Sequence, residues 1–316
     1  MRAPTGQQFA LTFTGEAGVS TAIVTELAAS LRELFLDGIE STQSHTEDVL
    51  PPMGDGIVLV PWPNRIKDAR WVLDGTTQQL DISEPATGNA IHGLLRNTAY
   101  RVARQTASSI TLEATVFPQH GYPFLLDTSV EYSLGDDGLT VTHTIVNQSA
   151  SVAPVAVGAH PYLKVGDVPV ADLVLRVDAS TQFEVDEKAI PTAEVSLDGS
   201  EFDLRGGRRV GEVTLDHGFG GVGIQNGERV HSVTAPDGSR TELWGDEHFR
   251  FVQVYTPTNF PLEDGTKGQA VAIEPMTAPA NAFNTGEGLR QLAPGETWVL
   301  RWGIRHRAPG LATVLD

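Results

Sequence analysis

In the stretch 108–117, S-S-I-T-L-E-A-T-V-F, the apolar residues Ile110, Leu112, Ala114 and Val116 fall at every second position, and L-T-V-T-H-T-I-V-N repeats that period after Asp136-Asp137-Gly138. A helix returns to one face every 3.6 residues, so a two-residue period buries a continuous apolar face only on an extended strand. Segments near 19–25, 30–36, 99–105, 126–134, 172–178, 230–235, 240–244, 249–255, 270–274 and 297–305 also carry strand character. Asp-Gly recurs at 37–38, 55–56, 74–75, 137–138, 198–199, 237–238 and 264–265, and this pair suits tight turns. The run V-H-S-V-T-A-P-D-G-S-R-T-E-L-W places Pro236-Asp237-Gly238 at the tip of a hairpin. The piece T-E-L-A-A-S-L-R-E-L-F fits either a helix or two strands joined by Ala28-Ala29-Ser30.

A doubly wound nucleotide-binding fold would need G-x-G-x-x-G and repeated βαβ units, and neither is evident. The expected fold class is therefore all-β, a large antiparallel sandwich or barrel, with no linker dividing residues 1–316. At 316 residues and 40% hydrophobic content the chain can bury a large core without staples. It has no cysteine, which removes disulfides, thiol nucleophiles and cysteine metal sites. Forty acidic against 22 basic residues give a formal charge of -18, which disfavours nucleic acid and anionic membrane surfaces as partners. No signal segment or 18-residue apolar run is evident, so a cytoplasmic monomer or weak homodimer is expected.

Irregular connections at 45–70, 81–98, 160–170 and 256–269 offer room for a site. Five stretches concentrate its chemistry: P-W-P-N-R-I-K at 61–67, N-A-I-H-G-L at 89–94, G-A-H-P-Y-L at 158–163, L-D-H-G-F at 215–219 and I-E-P-M-T-A-P-A-N-A-F-N at 273–284. Histidine, carboxylate and arginine orient hydroxyls, while an aromatic face covers the C–H surface of a sugar. Pro161 and Pro275 restrict His160 and Glu274 to extended or turn geometry, so both are expected to leave strand ends toward a cleft.

Each residue also has a structural alternative. His160 and His92 can serve as hydrogen-bonded structural groups, and Glu274 can pair with an arginine. Arg65 can anchor a loop through an acid, and Asp216 can pair with Arg65. Tyr162, Phe219, Trp62 and Trp71 can be core, Lys67 solvent-facing, and His217 an orienter of Asp216. Asn281 and Asn284 are expected to hold their loop through local hydrogen bonds.

These motifs, in this order, resemble the aldose 1-epimerase, or galactose mutarotase, family over roughly residues 15–305. The resemblance implies a β-sandwich that exchanges the α and β anomers of a free monosaccharide with no organic or metal cofactor. It implies His160 as acid and Glu274 as base, with Arg65, His92 and Asp216 binding sugar; Tyr162 and Phe219, read from the residues themselves, are expected as pocket walls. Glu274 would take the proton from the anomeric O1 while His160 donates to ring oxygen O5, opening the hemiacetal; rotation of the aldehyde and reclosure give the other anomer. The flanking residues differ from the better-known galactose-specific form, which argues against a galactose-specific assignment.

Four other functions compete. A silent carbohydrate-binding protein would use Arg65, His92 and Asp216 but needs no His160–Glu274 pair. A glycosidase would pair Asp216 with Glu274. A metal-dependent isomerase would need a ligand signature such as H-E-x-x-H, which is absent. A hexose-6-phosphate 1-epimerase would draw on Arg65, Arg96, Arg205, Arg208 or Arg209, although the net charge favours a neutral sugar.

Overall fold

The alternating segments become antiparallel strands in a computed structural model, which describes residues 2–309. Ser109–Val116 buries Ile110, Leu112, Ala114 and Val116 and turns the intervening residues outward, as the period requires. Leu126–Gly135 and Gly138–Asn147 pair along ten residues around Asp136-Asp137, from Leu126 opposite Asn147 to Gly135 opposite Gly138. A slip of one residue would expose Leu139, Val141 and Ile145, each worth about 1.5–3 kcal/mol when buried, so the apolar pattern fixes the register.

Nine strands form one sheet, in the order Arg101–Gln105, Ser109–Val116, Leu126–Gly135, Gly138–Asn147, Thr297–Arg307, Arg240–Gly245, Arg229–Thr234, Val174–Val177 and Arg208–Arg209. Seven form another: Pro191–Ser196, Thr181–Val185, Asp216–Gly220, Phe251–Tyr255, Ala272–Met276, Gly158–Ala159 and Val58–Leu59. A four-stranded sheet runs from Gln8–Thr14 to Ile39–Glu40. One apolar core draws Val141, Ile145, Leu300 and Ile304 from the first sheet, Phe219, Val252, Val254 and Ile273 from the second, and Leu11, Val24 and Leu34 from the third. The result is an antiparallel sandwich, not a closed barrel.

The turn chemistry holds. The glycine of every Asp-Gly pair has positive φ, and five of the seven pairs join consecutive paired strands; 55–56 and 198–199 lie in longer loops. The hairpin around Asp237-Gly238 pairs Arg229–Thr234 with Arg240–Gly245. The helical alternative at 25–35 is overturned. Val19–Thr25 and Leu31–Leu36 are paired strands, joined through Ala28 and Ala29 at positive φ. The α-helix among the described residues is the single turn Ala282–Thr285. No helix of the described residues is long and apolar enough to cross a membrane.

Candidate active site

Two parts of the fold meet at a cleft of about 490 Å³. The seven-stranded sheet supplies Asp216, Tyr255 and Glu274 from adjacent strands, and His160 directly after Gly158–Ala159. Antiparallel pairing sets Asp216 opposite Tyr255 and Gln253 opposite Glu274. The two-stranded ribbon of Arg65–Ile66 and Ala90–Ile91 delivers Arg65 and then His92 from the other side. A larger hollow of about 800 Å³, around Phe117 and Thr128, carries no histidine, so the chemistry gathers in the smaller cleft.

His160 Nε2 lies 3.4 Å from Glu274 Oε1, and both side chains are buried. That distance is just beyond a good N–H···O bond of about 2.7–3.2 Å. Glu274 Oε2 is buried without a protein hydrogen-bond partner. Burial pushes Glu274 well above the usual carboxylate range; nearby Asp216 adds to the rise and Arg65 opposes it. Burial pushes His160 down to about 4, with Arg96 contributing. Both shifts favour the neutral forms, a carboxyl that keeps its proton beside an uncharged imidazole. His143 shows what a structural histidine looks like here: it is buried in the core and its Nε2 accepts from Trp302 Nε1 at 3.0 Å.

The ribbon is clamped at its base. His92 N–H donates to Asn64 O at 2.9 Å, while Asn64 N–H donates back to His92 Nδ1 at 3.2 Å. Both residues have positive φ, a conformation side chains seldom adopt and one that recurs at functional sites. Next to them Gly93, at φ +74°, passes so close to Val60 that an added Cβ would lie 2.1 Å from its carbonyl oxygen. Gly93→Ala should therefore destabilise the protein by about 2–4 kcal/mol; a melting temperature equal to wild type would show that the ribbon can yield.

The clamp also decides the tautomer of His92. Because Nδ1 accepts a backbone N–H, the ring proton belongs on Nε2. Burial, followed by His160, Arg96 and Arg65, pushes its pKa well below the ordinary value, so the ring is neutral. His92, His160 and Glu274 bring possible ligand atoms within 4.8 Å of one another. With its proton on Nε2, His92 offers this group a donor instead of a metal-binding lone pair.

Arg65 anchors its loop through an acid and lines the cleft. Its Nε and terminal nitrogen grip Glu84 at 2.9–3.1 Å, and the terminal nitrogen also lies 3.6 Å from Asp216 Oδ2. Gln253 Nε2 donates to Asp216 Oδ1 at 2.6 Å. Glu84 in turn accepts from Thr87. Asp216 is thus held from two directions while remaining exposed to the cleft.

The structure brings His160, Glu274, Arg65, His92 and Asp216 together and corrects the aromatic walls. Tyr162 and Phe219 are both 0% exposed and cannot touch a ligand. Tyr162 packs behind His160, ring centroids 5.2 Å apart, and against Phe260 at 4.6 Å. Phe219 belongs to the core because its alternate position on Asp216–Gly220 faces inward. The aromatic at the cleft is Tyr255, which the motif search missed; its position opposite Asp216 depends on strand pairing. Tyr255→Ala should raise KM about 5–10-fold by removing a stacking face; an unchanged KM would remove Tyr255 from the binding surface.

Glu84, Gln253 and Asn64 were also missed, being ordinary polar residues without a local pattern. Trp62 and Trp71 are core, packed on Phe283. Lys67 is exposed and pairs with Asp186. His217 stacks on Phe202 and accepts the Asp216 backbone N–H. Asn284 donates to Asn281 and to the Arg70 carbonyl, and Asn281 accepts from Lys67 N–H. Of the irregular connections, 256–269 lends Phe260 as backing for Tyr162 but does not line the cleft.

A β-sandwich with a buried histidine–carboxylate pair at the floor of a polar cleft is a scaffold for proton transfer on a small polar ligand. This chain belongs to the aldose 1-epimerase family, whose pattern matches residues 36–305, and is an isomerase of the epimerase type. It is 33% identical over 290 residues to the uncharacterized protein YihR of Escherichia coli K12, covering 91% of each chain. It is 30% identical over 158 residues to galactose mutarotase of Pongo abelii, covering 48% of this chain and 45% of that one. Its fold matches the GalM/aldose epimerase homologue of C. elegans with a TM-score of 0.82 at 18% identity, over 95% of this chain and 99% of that one.

Proposed function

We propose that the protein is a mutarotase, interconverting the α and β anomers of a reducing aldohexose by ring opening and reclosure. The observation that carries this reading is the His160–Glu274 pair, 3.4 Å apart and buried at the cleft floor. Family membership and similarity to a protein named galactose mutarotase support the same reaction.

Sugar binding brings O1–H to Glu274 and O5 to His160. Moving the stored proton from Glu274 to His160 changes no net charge and leaves a carboxylate base beside an imidazolium acid. Glu274 then removes the O1 proton as His160 protonates O5, the C1–O5 bond breaks, and an aldehyde forms at C1. The freed aldehyde turns about C1–C2. On reclosure O5–H returns its proton to His160, and the new O1 takes one from Glu274. Protons balance over the cycle, and the pair is reset. His92 Nε2–H, Arg65 and Asp216 orient the ring and its hydroxyls.

The pair works only while it holds one proton, which sets the pH dependence. As pH falls, a second proton must enter on His160, whose pKa is lowered to about 4. The kcat/KM profile reports the free enzyme. Its acid-side loss should therefore lie near pH 4, well below the ordinary histidine value of about 6.5. Its base-side loss should lie above the ordinary carboxylate range, because Glu274 is raised. Polarimetry with fresh α-D-glucose and α-D-galactose, corrected for the spontaneous rate at each pH, tests this. An acid limb near 6.5 would contradict the burial argument, and no acceleration at any pH by any aldose would favour a silent binding protein.

A further inference from the structure

We propose that Glu84 is a positioning residue of this site: by gripping Arg65 it keeps the guanidinium from closing on Asp216, and so leaves both free to hold the sugar. This inference rests on the mutarotase reading and adds a residue to the same site.

At the cleft one guanidinium faces two carboxylates. Glu84 holds it edge-on: Nε donates to Oε1 and Oε2 at 3.1 and 2.9 Å, and Nη2 donates to Oε1 at 2.9 Å. Asp216 Oδ2 stands 3.6 Å from the same Nη2, beyond the range of about 2.7–2.9 Å for a charged hydrogen bond. A guanidinium carries five N–H donors. Glu84 occupies Nε–H and one N–H of Nη2, while Nη1 makes no hydrogen bond among the described residues. Asp216 is also half-used. Its Oδ1 accepts from Gln253 Nε2, its Oδ2 accepts from no donor among the described residues, and the side chain is 45% exposed.

The two carboxylates differ in how firmly they are built in. Glu84 lies on a strap, 83–86, that lines the cleft. Its backbone N–H donates to Asn89 O at 3.0 Å, and its carbonyl accepts from Gly88 N–H at 3.0 Å. Its Oε2 accepts from Thr87 Oγ1, which in turn accepts from Asn89 Nδ2 at 2.9 Å. Asn89 is fully buried, donates to the Lys188 carbonyl and accepts from Asp68 N–H. A carboxylate supported in this way fixes the plane of the guanidinium it holds. Remove its charge, and Arg65 is left with Asp216 as its nearest anion. Closing that gap to a direct pair takes a movement of about 0.8 Å. The new pair would occupy Asp216 Oδ2 and turn the arginine donors away from the ring hydroxyls, and misplacements on this scale cost about 10²-fold in rate.

The test is Glu84→Gln in two backgrounds, with anomer exchange followed by polarimetry on whichever of D-glucose, D-galactose and their 6-phosphates wild type turns over best. Glutamine keeps the volume of Glu84, removes its charge and sets an NH₂ group where an arginine N–H needs an acceptor. In the wild-type background the substitution should cut kcat/KM by about 10–100-fold. Where Asp216→Asn has already removed the carboxylate that Arg65 would close on, the same substitution should cost less than about 3-fold, the coupling expected of residues that share a partner. A Glu84 that only braces its loop would lower the melting temperature and cost the same factor in both backgrounds. That result overturns the proposal, as does wild-type kcat/KM in folded Glu84→Gln, and either leaves the mutarotase reading intact. Glu84→Asp keeps the charge but draws it back by one methylene, so it should show the same dependence on Asp216 at smaller amplitude. It decides the matter if Glu84→Gln does not fold. No acceleration of any of these sugars by wild type sinks the mutarotase reading and this inference together.

Discussion

Glu274→Gln should lower kcat for anomer exchange by about 10²–10⁴-fold, and His160→Asn by a similar factor, while sugar still binds. Each substitution keeps polar volume and removes a proton-transfer group. Both positions are buried, so an uncharged amide fits at no greater desolvation cost than the native side chain. In the proposed cycle the two groups share one proton, so losing either breaks it. The double variant should then be no slower than about the worse single variant, the non-additivity expected of residues acting as a unit. Exchange kinetics under saturating sugar, with binding measured by calorimetry, separates rate from affinity. Losses that multiply in the double variant would mean that the two residues act independently.

Arg65→Ala should reduce kcat/KM by about 10²-fold, the scale on which small misplacements of a substrate act. It should also cost about 1–3 kcal/mol of stability, because half-buried Glu84 loses its charged partner. The two effects share a cause. The guanidinium lies between Glu84 and Asp216, so its removal frees the loop that carries one and one of the two restraints on the other. Asp216→Ala should lower kcat/KM with less effect on stability, since Asp216 is exposed to the cleft and Gln253 keeps its place in the sheet. Steady-state kinetics with thermal melts checks both variants. A folded Arg65→Ala protein with wild-type kcat/KM would remove Arg65 from substrate positioning.

The sandwich was legible wherever a strand has one wet and one dry face. Ser109–Val116 and Gly138–Asn147 alternate cleanly because their outer face is exposed or half-buried. Asp216–Gly220 was not legible: D-H-G-F-G has two glycines and one large apolar residue, and it is a strand because Thr181–Val185 and Phe251–Tyr255 pair with it on both sides. The hairpin of Thr181–Val185 and Pro191–Ser196 was also unmarked, since its outer strand buries no residue. Gln8–Thr14 did carry alternation, at Phe9, Leu11 and Phe13, and was overlooked.

At the site, His160, Glu274, Arg65, His92 and Asp216 stood out because each sits in a distinctive local phrase. The residues that position them did not. Gln253 reaches Asp216 only through the pairing of adjacent strands, and Glu84 reaches Arg65 across a loop. The aromatic assignment failed for the same reason. Tyr162 and Phe219 adjoin site residues in sequence but point into the interior, whereas Tyr255 reaches the cleft across the sheet.

The account rests on a single proton passing between His160 and Glu274 through a sugar. Magnetisation transfer between the α and β H1 resonances of an aldose at anomeric equilibrium measures that passage without any net reaction. With neutral and 6-phosphorylated aldoses offered separately, the wild-type protein should give, for at least one, an exchange rate that rises in proportion to protein concentration. Glu274→Gln should abolish the increase, with no deuterium from solvent entering C2. Wild-type exchange indistinguishable from buffer for every sugar, or exchange that survives in folded Glu274→Gln, would contradict it.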